Sequence, residues 1–233
     1  MEVHKAKPIH SWRALVNEIG VIVLGVLIAL GAEQAVEALH WRAKVSSARE
    51  AMHTELYEDA GYAYERVVLG ACEKAQLAAL EAKLAANPVA WKAFAGPAAG
   101  VAYAVPVRTW PSAAWEAALA SSALAHMPRD EMQKFAGAYQ TVRILQPQNL
   151  KEGYEAAELH MLSQDQALND VSRDRLLARV QGASAGNRLF TVASGQFLNA
   201  AAALGVRLSA NDKTAARAAG KLYYPGCVLP PDV

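Results

Sequence analysis

Two pairs of residues have the Glu-x-x-His spacing by which helix bundles ligate paired metal ions: Glu37 with His40, and Glu50 with His53. A di-metal site needs such pairs on facing helices. Both pairs lie on one predicted helix, and 13 residues separate the first from the second. That spacing puts them roughly 20 Å apart and turns them to nearly opposite faces. We therefore expect no metal site and no cofactor here.

A second motif, Gly182 to Gly186 (GASAG), matches the G-x-S-x-G turn that carries the serine nucleophile of many hydrolases. That chemistry needs a strand before the serine and a histidine after it. The last histidine is His160, which precedes Ser184, and no strand pattern leads into the motif. We expect a break between helical segments here, no catalytic residues, and a protein that is not an enzyme.

Cys72 and Cys227 are the only cysteines. In an oxidising compartment they could pair and tie the irregular C-terminal tail to a long helix, and closing a loop of that size is worth ~4 to 5 kcal/mol in the chain-entropy model. Two separate free thiols remain the alternative.

The compartment is indicated by the run from Ile19 to Ala32, IGVIVLGVLIALGA, which contains no charged residue. Trp12 and Trp41 stand outside its ends. They are 29 residues apart, roughly 43 Å along a helix, which is close to a bilayer with its headgroup layers. We predict a transmembrane helix over residues 11–34, with both indole rings as interface anchors.

Three alternatives compete with a single anchor, and one of them, a buried core helix of a soluble protein, ranks below a cleaved signal peptide. A cleaved signal peptide has a similar pattern, but strong helix formers continue through its would-be cleavage site. A second span at Leu189 to Val206 is also uncharged, but several Thr, Ser, Gln and Asn residues make it much less apolar. We favour one anchor and a buried second helix.

The orientation depends on flanking basic residues, and three lie on each side of the span: Lys5, Lys7 and Arg13 before it, and Arg42, Lys44 and Arg49 after it. A free amino group adds to the first set, and large domains cross membranes largely regardless of charge. We predict a cytoplasmic tail at residues 1–10 and an extracytoplasmic domain at residues 35–233.

The segment HKAKPIHSWRALVNEIGVIVLGVLIALGAEQAVEALHWRAKV resembles the N-terminal segment of a group of uncharacterised bacterial single-pass membrane proteins. The likeness covers about residues 4 to 45. It implies a bacterial inner membrane and a periplasmic domain, and it implies no activity, ligand or catalytic residue.

Within the span, a carboxylate and small residues share one helix face within roughly 60° of one another. Small residues let a second helix approach closely, and a carboxylate at membrane depth rarely faces lipid. We predict a transmembrane interface there, although Glu18 could also extend to the inner interface without a partner. The interface residues are Glu18, Gly25, Ala29 and Ala32, and a neighbouring polar stripe beyond the span consists of Glu33, Glu37 and His40.

The rest of the chain has helical composition, with almost no period-two runs of Val, Ile and Thr, which predicts a mainly α helical bundle. The membrane helix should continue to about Leu84, before Asn87-Pro88. Its apolar spacing drifts, so we expect packing in a bundle rather than a coiled coil. The other expected elements are a loop at Gly96 to Pro111 with an extended stretch at Val101 to Val107, then helices at Ser112 to Met127, Pro128 to Leu145, Asn149 to Leu168, Val171 to Leu204 with a break at Gly182 to Asn187, and Asp212 to Leu222.

The charge balance, 23 basic and 22 acidic residues, gives no electrostatic reason to expect a nucleic acid partner. We expect the lipid bilayer and another membrane protein or a second copy as partners. The sequence favours a non-enzymatic interaction or scaffold protein, an accessory subunit of a membrane complex. The alternative is a small-ligand-binding or sensory module that acts through a partner, and an uncharacterised hydrolase ranks third.

Overall fold

A computed structural model describes residues 12–86, 89–94 and 100–230. The predicted cytoplasmic tail at residues 1–10, the Asn87-Pro88 stop signal and the start of the Gly96 to Pro111 loop lie outside these ranges. The chain divides into two compact units, and the boundary lies between Ser47 and Ala48. The described part of the first unit is the N-terminal portion of one long helix.

The predicted mainly α fold, with a long N-terminal helix that continues into a helical bundle, is confirmed. Within the described ranges, five α-helices alternate with short 3-10 turns and two minimal strands. These elements are α1 Trp12–Ala85, β1 Ala90–Trp91, α2 Ala113–Ala120, a 3-10 turn Ala123–His126, α3 Arg129–Leu159, a 3-10 turn His160–Ser163, β2 Gln166–Ala167, α4 Asp170–Ala203 and α5 Ala210–Tyr223.

Buried positions on three helices of the second unit follow alternating steps of three and four residues. This heptad spacing differs from the drifting pattern expected from the sequence, and the difference arises because polar residues fill several of its positions. The buried series are Met52, Leu56, Asp59, Ala63, Arg66, Gly70, Glu73, Leu77, Leu80 and Leu84 on α1; Phe135, Ala138, Val142, Leu145, Asn149 and Glu152 on α3; and Leu176, Val180, Ala183, Asn187, Phe190, Ser194, Phe197 and Ala201 on α4.

The contacts between helices fix their directions. Arg49 pairs with Glu131 and Arg66 pairs with Glu152, so α1 and α3 run parallel. Asn187 contacts Gly70 and Gln181 contacts Glu81, so α4 runs antiparallel to α1. Since parallel neighbours cannot be joined by a short turn, the chain must return along α1 before α2 begins.

That return is made by residues 100–112, which we call the crossover segment. Ala102 contacts Gln76, Arg108 contacts Glu65, and Ala114, just beyond the segment, contacts Glu55, so the chain runs back along α1. The predicted stretch at Val101 to Val107 forms no strand, because side chains rather than a neighbouring strand satisfy its backbone. The two strands lie elsewhere, and Ala90 and Trp91 pair antiparallel with Ala167 and Gln166.

Several predicted helix boundaries are wrong. The helix expected to end near Met127 ends at Ala120, and the separate helix expected at Asn149 to Leu168 is instead the end of α3, followed by a 3-10 turn and β2. The helix expected to end near Leu145 continues through Pro147 to Leu159. Proline has no backbone N–H, so the carbonyl of Arg143, four residues before Pro147, lacks its helical donor. Both residues are exposed, so water can donate a hydrogen bond to that carbonyl instead. The expected break at Gly182 to Asn187 is also absent, because α4 is continuous from Asp170 to Ala203.

Candidate functional site

The bundle interior contains a buried ionic network centred on Arg66 of α1. One guanidinium nitrogen lies 3.1 and 3.0 Å from the two carboxylate oxygens of Glu152 on α3, and another contacts Glu73 one heptad along α1. The guanidinium carbon lies 4.6 Å from the centre of the Phe190 ring on α4. All three charged side chains are at most 1% exposed. The network therefore joins three helices at one level.

Two carboxylates share one guanidinium, so the network carries an excess negative charge. Burial raises the pKa of Glu152 to about 7, although Arg66 opposes this rise. Burial also raises the pKa of Glu73, again against the effect of Arg66. A buried proton on this pair of carboxylates is the simplest way to balance the charge near neutral pH.

The glycines of the GASAG motif make room for this network. A side-chain carbon added at Gly186 would lie 2.7 Å from the amide nitrogen of Gln148, and one added at Gly182 would lie 3.8 Å from Glu155. The motif therefore packs α4 against the polar side chains of α3, and Ser184 lies on a helix rather than on a strand-to-helix turn.

Other buried polar side chains hold the crossover segment. The Asn149 amide donates to the Pro106 carbonyl at 2.9 Å and its oxygen accepts from the Arg108 backbone N–H at 2.7 Å. Tyr224 donates its hydroxyl to the Ala104 carbonyl at 2.6 Å. These bonds replace the strand pairing that an extended chain would otherwise need.

A second acidic cluster lies nearer the start of the bundle. Asp59 is fully buried, and neither of its carboxylate oxygens has a hydrogen-bond partner among the described residues. One turn away, Glu55 accepts from the Tyr139 hydroxyl at 2.7 Å and from the Ala114 backbone N–H at 3.0 Å. Burial, together with the charges of Glu55 and Glu58, raises the pKa of Asp59 to about 8.

This raised pKa makes stability depend on pH. The folded state keeps the Asp59 proton up to about pH 8, whereas the unfolded chain releases it near pH 4. The contribution of Asp59 to stability is therefore greatest below pH 4 and falls as the pH rises toward 8. We expect wild-type protein to lose about 1.4 kcal/mol more per pH unit than Asp59→Asn between pH 5 and pH 7.

Chemical denaturation of the full chain in detergent, followed by tryptophan fluorescence, measures this difference. Asp130→Asn, at an exposed carboxylate on α3, is the control and should keep the wild-type slope. Equal slopes for wild type and Asp59→Asn would contradict the assignment.

Surface pockets flank α1 in the second unit, and two of them are larger than the others there. One, of about 370 Å³, lies against α5, where the hydroxyls of Tyr57 and Tyr62 donate to Asp212 and Glu58. The other, of about 470 Å³, lies between α1 and α4 and is lined mainly by small residues.

The residues predicted to form the transmembrane interface are all exposed on α1 in the first unit, and nothing lies within 4 Å of a side-chain carbon added at Gly25. The predicted polar stripe is also exposed. Glu37 accepts from the Trp41 indole nitrogen at 3.3 Å, and the Lys44 ammonium lies 4.9 Å from the Trp41 ring. No contact among the described residues tests the predicted roles of the transmembrane face, the polar stripe or the anchors Trp12 and Trp41, so these roles stay predictions.

The two Glu-x-x-His pairs do not come together. Glu50 is exposed, and the ring of His53 packs edge-on against Phe135 at 5.4 Å between centres. Across the described ranges, no three His, Cys, Asp or Glu side chains are grouped as metal ligands would be.

Cys72 and Cys227 form a disulfide, with 5.9 Å between their α-carbons. Cys72 is buried on α1 against Tyr224 and Leu229 of the tail, in a cluster that also contains Tyr64 and Leu69. The bond therefore ties the C-terminal tail to the long helix.

Sequence patterns did not identify the Arg66 network or the Asp59 cluster. The available signal was the heptad register of α1, which places Asp59, Arg66 and Glu73 in line with Met52 and Leu80. Comparison with known proteins finds no matching family model, no matching curated protein and no matching solved structure.

Proposed function

We propose that this protein is a single-pass, membrane-anchored interaction protein of a bacterial inner membrane, with its helical domain in the periplasm. The observation that carries the proposal is the apolar segment of α1. This helix is long and apolar enough to cross a membrane, and none of its most apolar 18-residue stretch is buried. Leu27 and Ile28, for example, are 60% and 63% exposed. Burial in lipid would remove that surface from water.

The disulfide supports the orientation. Disulfides persist in oxidising compartments and are rare in the cytosol. A bond between Cys72 and Cys227 therefore favours an extracytoplasmic location for the second unit. The resemblance of residues 4 to 45 to bacterial single-pass membrane proteins fits the same placement.

A role in interaction rather than catalysis fits the use of the charged side chains. Arg66, Glu73 and Glu152 are enclosed within the bundle and bind one another, so a substrate has no direct access to them. Asn149 and Gln76 bind the backbone of the crossover segment. These groups stabilise one arrangement of the helices, which suits a domain that presents a fixed surface to a partner.

The proposed contact with a partner is the transmembrane face of Glu18, Gly25, Ala29 and Ala32. Its small residues leave a groove along the helix, and the backbone at Gly25 is open to a second helix. Close approach of two helices increases their van der Waals contact, which is a main source of association within lipid. We propose a membrane complex, made with another membrane protein or a second copy, in which this protein is an accessory subunit.

We expect Gly25→Leu to weaken that complex about tenfold or more, because a leucine side chain separates the two helix backbones. The complex would be isolated in mild detergent and its mass measured, and copurifying proteins would be identified. Gly31→Leu is the matched control. It makes the same change at an equally open glycine outside the proposed interface, about 120° around the helix from Gly25.

A reporter enzyme that works only outside the cytoplasm, fused after Val233, should be equally active in wild type and both variants. That result separates loss of interaction from loss of insertion. Wild-type protein that migrates as a lone monomer, or a complex that Gly25→Leu leaves unchanged, would overturn the proposed interface. An inactive wild-type reporter would overturn the orientation.

A further inference from the structure

The pocket between α1 and α4 has the size of a small-molecule site. Its volume is about 470 Å³, within the range of roughly 300 to 1,000 Å³ typical of ligand pockets. Small side chains open it on both helices, including Ala71 and Ala78 on α1 and Ala185 on α4. The pocket lies wholly within the second unit and opens to solvent between the two helices.

Two cationic side chains, one on each helix, lie toward the Gly70 end of this pocket. The antiparallel register joins Gly70 to Asn187 at 3.0 Å and Glu81 to Gln181 at 2.9 Å. Arg188 comes directly after Asn187 and so lies near the level of Gly70, and the rise of 1.5 Å per residue places Lys74 about 6 Å further along α1. Both line the pocket.

Neither cation forms an ion pair with any residue in the described ranges. Lys92, Lys151 and Arg173 each have a carboxylate partner. Lys134 and Arg143 of α3 form no ion pair in the described ranges either, so the feature specific to Lys74 and Arg188 is that both line one pocket. Glu81 is the carboxylate of the pocket lining, and it accepts a hydrogen bond from Gln181 at the far end. The end of the pocket nearer Gly70 is therefore positively charged, and small side chains lie beside it.

We propose that this pocket binds a medium-chain alkyl carboxylate. Lys74 and Arg188 complement the carboxylate, and the small apolar residues on both helices accommodate the hydrocarbon chain. An anion supplies the missing charge partner for both side chains, and an alkyl chain fills a narrow apolar space that waters would hydrogen-bond poorly. The inference does not rest on the proposed membrane complex, because the pocket lies within the second unit.

Octanoate is a suitable probe, since it is soluble and carries both parts of the proposed ligand. Binding would be measured by titration calorimetry on the full chain in nanodiscs of zwitterionic lipid, with empty nanodiscs subtracted. We expect saturable binding to wild type, about tenfold weaker binding to Lys74→Gln/Arg188→Gln, and no saturable binding to Ala185→Trp, whose indole fills the pocket.

Lys134→Gln/Arg143→Gln is the matched control, because it removes the same two charges from exposed positions on α3. It should bind octanoate as wild type does. Circular dichroism of each variant would show that the helices remain folded, so that lost binding reports on the pocket.

Octyltrimethylammonium has a chain of the same length and the opposite charge, and it should not bind. Equal binding of both compounds, no binding of octanoate to wild type, or unchanged octanoate binding by Ala185→Trp would overturn the proposal. A dimer of wild-type protein that Ala185→Trp dissociates would assign the groove to a second copy of the chain instead.

Discussion

Replacing Arg66 by Met is expected to lower the free energy of unfolding by about 3 to 5 kcal/mol, the range measured when one partner of a buried ion pair is removed. Methionine replaces the apolar stem of the arginine but not its guanidinium, so part of the loss comes from unfilled space beside the Phe190 ring. The larger part arises because Glu73 and Glu152, both 0% exposed, lose their counterion and must either hold an uncompensated buried charge or take up protons.

We call the difference in free energy of unfolding between wild type and Arg66→Met the stability deficit. Its pH dependence distinguishes the loss of a counterion from poor packing. Burial already raises the pKa of both glutamates, and Arg66 opposes that rise. Without Arg66 the pKa of each carboxyl should rise further, so the folded variant holds protons that the unfolded chain releases above about pH 4 to 5. Stability of Arg66→Met should therefore increase as the pH falls from 8 to 5, and its deficit relative to wild type should shrink.

Arg49→Met is the matched control, because Arg49 forms an ion pair with Glu131 at a site where the arginine is 38% exposed. Its loss should cost no more than about 1 kcal/mol. Adding Glu73→Gln and Glu152→Gln to Arg66→Met should restore part of the stability. A deficit that is the same at pH 5 and pH 8, or that equals the Arg49→Met deficit, would contradict this account.

The heptad of α1 explains why the sequence predicted the helix well and the network not at all. Apolar residues such as Met52, Leu56 and Leu84 are identifiable by period, and Ala85 ends α1 close to the predicted end at Leu84. Asp59 and Arg66 occupy buried positions of the same register, but charged residues usually belong to the solvated face. Their burial depends on Glu152 and Phe190, which approach only when α3 and α4 pack against α1.

Two glycine and proline signals were misinterpreted for a related reason. Gly182 and Gly186 lower helix propensity locally, but α3 places Gln148 and Glu155 against them, and that tertiary packing favours a continuous helix. Pro147 breaks one helical hydrogen bond, but its exposed side of α3 allows water to compensate. Local helix propensity alone cannot predict either outcome. At the glycines the compensating contact comes from another helix, and at the proline it comes from solvent water.

Removing the disulfide with Cys72→Ala/Cys227→Ala should destabilise the protein by up to about 5 kcal/mol in the chain-entropy model. The bond joins residues 155 positions apart, so it restricts a large part of the unfolded chain. Cys72 is buried beside Tyr224 and Leu229, and alanine is small and apolar enough to occupy its place without an unsatisfied hydroxyl. The tail should detach first, because the bond is its covalent attachment to α1.

Thermal unfolding of the full chain, compared between oxidised wild type, wild type with reductant and the double variant, measures this contribution. The reduced protein and the double variant should unfold at similar temperatures, both below the oxidised protein. Reductant should leave the double variant unchanged, which is the control for its effect on other groups. If the second unit lies in the periplasm, as proposed, the disulfide should form in cells only after that unit has been exported. Mass spectrometry of non-reduced protein with both cysteines alkylated would reject the disulfide, and a double variant as stable as oxidised wild type would reject its structural role.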